Sequence, residues 1–102
     1  MQAQIRIYTI NRGELDTFVS HFKEQTLPLH ESVGWPVVAM WVNRPQNEVI
    51  WIRTHKDAAD LEAKTKAFRE GAAASGIVLG GNVAKMEVRE VESADIGVPA
   101  SV

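Results

Sequence analysis

The chain has 102 residues, 45% of them hydrophobic and 24% charged, with a formal charge of -2 and no cysteine. These values fit one soluble globular domain with a single core, and they exclude disulfides, thiolate catalysis and cysteine-held metal. They leave no basic footprint for nucleic acid and no general attraction to an anionic membrane. No basic leader followed by an apolar stretch opens the sequence, and no apolar run reaches the length of a membrane helix, so the expected location is cytoplasmic.

Gln2–Ile10 alternates, with Ala3, Ile5 and Ile7 on one side and Gln4, Arg6 and Tyr8 on the other, and reads as a strand. Asn11 is placed to cap a helix, with Glu14 completing a capping box. Leu15, Phe18, Val19 and Phe22 then recur at helical spacing. Pro28 ends or kinks that helix, and Gly34 closes it. Residues 37–42 form the second expected strand, and Arg44-Pro45-Gln46-Asn47 turns the chain into the third, giving an antiparallel hairpin. That third strand, N-E-V-I-W-I-R-T at 47–54, puts Glu48, Ile50, Ile52 and Thr54 on one face. Val49, Trp51, Arg53 and then His55 fall on the other.

Asp57, with Asp60 three residues on, starts a second helix whose inner stripe is Ala58, Leu61, Thr65, Phe68 and Ala72. It either stops at Gly71 or runs on to Gly76. Ile77-Val78-Leu79, closed by Gly80-Gly81, either tucks under a sheet edge or covers a cavity mouth. A fourth strand at 83–91 sets Ala84, Met86 and Val88 against Lys85, Glu87 and Arg89, and 93–102 reads as a tail.

Strand, helix, strand, strand, helix, strand is the ferredoxin-like order, an α+β class with a four-stranded antiparallel sheet, here in one domain over 1–92. Right-handed crossovers put both helices on one face. Ile50 and Ile52 are expected to bury against them. Gln4, Arg6, Tyr8, Trp51, Arg53, Lys85, Glu87 and Arg89 would then occupy the uncovered face. Such a mixed aromatic and charged surface needs a cover, so the expectation is a homodimer joined through sheet faces, with a chamber between them.

Three stretches, I-R-I-Y-T-I at 5–10, G-E-L-D-T-F at 13–18 and N-E-V-I-W-I at 47–52, are similar to the NIPSNAP family of small dimeric α+β barrel proteins, and the similarity fades after Phe68. The family's first strand commonly runs E-x-R-x-Y. Arg6 and Tyr8 match, and Gln4 holds the acidic position. Its third strand often reads N-E-V-x-H. Asn47, Glu48 and Val49 match, and Trp51 stands where the histidine would be. The resemblance implies a dimeric barrel from a superfamily of monooxygenases, haem-degrading enzymes, dehalogenases and proteins without known reaction. It constrains architecture more than function.

For the site, Arg6 is a candidate to hold a carboxylate or enolate and Tyr8 to donate a hydrogen bond. Contacts across a dimer interface are the bland reading of both. Arg53 is treated alike, with Glu87 as a possible opposite charge. Trp51 either stacks on a planar ligand or fills a core. Trp41 either helps close a pocket or packs at a strand edge. The histidines His21, His30 and His55 match no compact metal motif. His30, at a helix end, suits a cation there, and His55, near the rim of the third strand, is the candidate general base. Gly80-Gly81 lacks the pattern of a phosphate loop, and no metal or cofactor is expected.

The function expected from these residues is a dimer that binds a small planar organic ligand. As a cofactor-independent oxygenase or isomerase it would act on a small aromatic or apolar compound. His55, Tyr8 and Arg6 are then the catalytic candidates, and Arg6, Tyr8, Trp51, Arg53 and Trp41 the substrate-binding ones. The alternative is a non-catalytic structural or binding homodimer. An enclosed cavity favours the first, and Trp51 packed on its mate the second.

Overall fold

The computed structural model describes residues 1–98. Four strands form one antiparallel sheet in the order β2-β3-β1-β4. β1 is Gln2–Ile10, β2 Val37–Asn43, β3 Glu48–His55 and β4 Val83–Glu92. The two central strands, β1 and β3, hold five of the isoleucines, at positions 5, 7, 10, 50 and 52, and branched side chains favour a pleated, half-buried surface. The predicted βαββαβ order is therefore observed. The barrel is not. The sheet is open, and β2 and β4 are its free edges among the described residues. The part of the expected tail at 99–102 lies outside the described residues.

The first helical rod has three parts: α1 (Leu15–His21), a π-helical turn (Phe22–Thr26) and α2 (Leu27–Ser32). Pro28 explains the wide turn. It has no N–H, and its ring crowds the carbonyl four residues back, so regular helix fails at Glu24. The chain widens there, and Leu27 N–H bonds Phe22 O, five residues back. The start of the rod differs from the expected Asn11 cap. Glu14 is the N-cap residue, without a side-chain cap bond, and Asn11 accepts Glu14 N–H through its carbonyl.

α3 (Ala58–Ser75) begins as predicted: Asp57 Oδ1 accepts Asp60 N–H at 2.8 Å. It runs through Gly71 and ends at Gly76, whose φ of 67° is the left-handed cap conformation. Gly71 allows α3 to press on α2, because a Cβ there would lie 2.8 Å from Leu29 Cδ1. No helix among the described residues is long and apolar enough to cross a membrane.

The sheet is turned over relative to the expectation. Trp51 packs edge-on against Phe22 and Tyr8 against Phe18, so their faces meet the helices. Tyr8, Ile10, Val49 and Trp51 join Leu15, Phe18 and Phe22 in one core cluster. Leu29, Trp35, Phe68 and Ala72 form a second. Ile5, Ile7, Ile50 and Ile52, of the opposite parity, point away from the helices. The physical reason is that both sets are apolar, and the gap between sheet and helices is filled by large rings rather than by isoleucine.

Register corrects β4 as well. Met86 pairs with Tyr8, Val88 with Arg6 and Glu90 with Gln4, so these lie on the helix face. Lys85, Glu87 and Arg89 lie on the open face, where Glu87 pairs with its two basic neighbours and not with Arg53. The expected chamber between two aromatic and charged sheet faces is therefore lost, and so is the argument for association built on it.

Candidate functional site

A cavity of about 260 Å³ opens inside the single chain, between the helix face of β1 and β3 and the inner sides of α1, the π turn and α3. Alternation along β1 delivers Gln4, Arg6 and Tyr8 to it, and alternation along β3 delivers Trp51 and Arg53. Phe18, Phe22 and Phe68 close the helical side, and the 78–82 segment forms the mouth. Within Ile77-Val78-Leu79, Val78 and Leu79 line the cavity, while Ile77 packs against the cluster of Leu29, Trp35, Phe68 and Ala72. His21 Nε2 and Val78 O, 3.0 Å apart, tie the first helix to the mouth.

Polar groups on the sheet side form a chain. Gln4 Oε1 accepts from Arg53 Nε at 2.8 Å and from Arg6 Nη1 at 3.2 Å. The Gln4 amide NH₂ donates to Glu90 Oε1 at 2.7 Å. Arg6 Nε donates to the Tyr8 hydroxyl at 2.8 Å, and Arg6 Nη2 reaches Met86 Sδ at 3.2 Å. Arg53 stacks on Trp35, its guanidinium carbon 3.7 Å from the ring centroid. It is only 7% exposed. Burial lowers its pKa to about 9, with Arg6 nearby as the second cause, so it remains a cation at neutral pH.

His30 departs furthest from its sequence reading. It is fully buried against Phe68, with ring centroids 4.3 Å apart and planes tilted by 44°. Its Nδ1–H donates to Thr26 O at 2.8 Å, which leaves Nε2 to accept from Arg53 Nη1 at 3.1 Å. Burial lowers its pKa to about 4. The bond to Thr26 opposes the shift, and the charges of Arg53 and Arg6 add to it. It is a neutral acceptor that holds Arg53, not a helix-end cation.

Of the residues singled out from sequence, Arg6, Tyr8, Trp51 and Arg53 share one wall. Trp41 stands on the open face, 51% exposed, paired with Ile50. His55 is buried on the helix face at the end of β3, beyond the lining, and its Nδ1 has no partner. Sequence reasoning assigned no binding role to Gln4, His30, Phe22 or Met86. Gln4 was reachable from its parity with Arg6. Nothing local to His30 marks it. No group of three metal-ligating side chains occurs among the described residues, and no Asp or Glu lines the cavity.

An open ferredoxin-like sheet with a cavity under its helices defines the class. Within it, residues 3–92 match the NIPSNAP family model, and the chain belongs to that family. No curated protein matches the sequence. Among solved structures, a NIPSNAP domain protein from Burkholderia xenovorans superposes with a TM-score of 0.80 at 17% identity, covering 97% of this chain and 99% of its own. An antibiotic biosynthesis monooxygenase gives a TM-score of 0.62 at 14% identity, covering 93% of this chain and all of its own. A dimeric ferredoxin-like protein from an uncultured marine organism gives 0.63 at 13% identity, covering 93% and 96%. At these identities the likeness is one of fold.

Proposed function

We propose that this protein binds a small, largely aromatic or apolar compound in the cavity between its sheet and helices, and that it works as a homodimer. The observation that carries the reading is the cavity itself: aromatic walls, with Arg6 and Tyr8 hydrogen-bonded to each other at one side. Likeness to a structure named as an antibiotic biosynthesis monooxygenase supports oxygenation, and our reading is oxygenation without a cofactor, with isomerisation as its variant. In that chemistry the substrate supplies the electrons for O₂, which calls for an enolate or phenolate. Arg6 and Tyr8 would hold its oxygen. A specific observation favours binding without catalysis: Nε2 of His30 is engaged by Arg53, Nε2 of the lining His21 is engaged by Val78 O, and His55 lies outside the lining.

The homodimer has new grounds. Ile5, Ile7, Ile50, Ile52 and the half-exposed Trp41 share one sheet face that no helix among the described residues covers. Exposed apolar side chains grouped in this way suit an interface, with Lys85, Glu87 and Arg89 at its edge, and one structure of similar fold is described as dimeric. Native mass spectrometry of freshly purified protein tests the ligand, and a retained or added planar organic compound is the expected result. Failure to retain or bind any would remove the reading. Size-exclusion chromatography with light scattering tests the assembly, and a monomer at micromolar concentration would refute it.

A further inference from the structure

We propose that the ligand of this cavity is an aromatic carboxylate whose charged group sits against the guanidiniums of Arg6 and Arg53. The inference rests on the cavity reading above and narrows it to a chemical class. Two cations converge on a single neutral acceptor, the Oε1 atom of Gln4. Arg69 adds a third positive charge at the rim. No acidic side chain lines the space, and among the described residues none of these three arginines makes an ion pair. Glu90, the nearest acid of the network, reaches it only through the Gln4 amide NH₂. Buried charges are ordinarily paired, since an unpaired one keeps its full desolvation cost.

The arginines also have donors to spare. A guanidinium carries N–H groups in a fixed fork that matches a carboxylate. Arg53 Nη2 has no acceptor among the described residues, while Nε and Nη1 are held by Gln4 and His30. Each Arg6 Nη nitrogen has one contact and a second hydrogen left over. Both side chains are fixed in place: Arg53 by Trp35, Gln4 and His30, and Arg6 by Tyr8 and Gln4. Fixed forks facing a small space bordered by Trp51, Phe22 and Phe68 suit a planar ring with one carboxylate.

Isothermal titration of the wild-type protein with 2-naphthoate and with its uncharged counterpart 2-naphthamide tests this. The acid should bind about ten- to a hundredfold more tightly, the range expected for hydrogen bonds to a charged group. Equal affinity, or tighter binding of the amide, would overturn the carboxylate and leave the cavity reading standing. Binding of neither at millimolar concentration would remove both. The Gln4→Glu variant supplies a carboxylate from the chain, so it should erase the preference for the acid and raise the melting temperature of the unliganded protein. A Gln4→Glu protein that keeps the full preference would count against the proposal.

Discussion

On the side covered by the helices, Tyr8, Val49, Trp51 and Arg53 are at most 7% exposed. On the other side of the same strands, Ile5, Ile7, Ile50 and Ile52 are partly exposed and Trp41 is half exposed. Both faces mix apolar and charged side chains, yet they are built differently. The open face sets four isoleucines and Trp41 beside the Lys85, Glu87 and Arg89 charges of the edge strand. The covered face carries rings that reach the helices, and the cavity opens beside them where Arg6 and Arg53 line it. A sheet with apolar residues on both faces has one surface for folding and one free for other uses.

The contrast is broken most severely by Trp51→Ala. Trp51 contacts Tyr8, Phe22 and His30, so its loss should cost about 3–5 kcal/mol of stability in denaturant titration. A loss below about 1 kcal/mol would place Trp51 outside the core.

A smaller effect concerns His30 and acid. Its pKa lies at about 4 in the folded protein against an ordinary 6.5, so the unfolded chain takes up the proton first as pH falls. The stability linked to His30 is complete above pH 6.5 and is lost progressively down to pH 4, by roughly 3 kcal/mol in all. Denaturant titrations across that interval should show a steeper decline for the wild type than for His30→Gln. Parallel curves would mean that the buried imidazole is not held neutral.

The smallest effect on folding belongs to the open face. Ile50→Lys should change the stability of a single chain by about 1 kcal/mol or less, while converting the proposed dimer to monomer by light scattering. Loss of the fold instead would show that this face is part of the core.

Much of this was legible in the sequence. Alternation in β1 and β3 grouped Gln4, Arg6, Tyr8, Trp51 and Arg53 correctly on one face, and the turn at Arg44–Asn47 and the Asp57 cap fell where expected. Alternation says which residues share a face but not which face meets the helices. Reading isoleucine as the buried set inverted the sheet and placed Lys85, Glu87 and Arg89 beside Arg53. The environment of His30 was not legible, since it depends on Arg53, Thr26 and Phe68 meeting in space.

Pro28 touches none of the cavity, yet it governs who does. The π turn it imposes holds one more residue than a regular helical turn would, and each residue in a helix advances the direction of the side chains by roughly 100°. Were the rod to regularise, Phe18, His21 and Phe22 would swing around its axis relative to Leu29 and His30. A solvent-facing imino acid thus acts as the phase setting of the chamber, and a change there would reshape what fits without altering any residue that touches the guest.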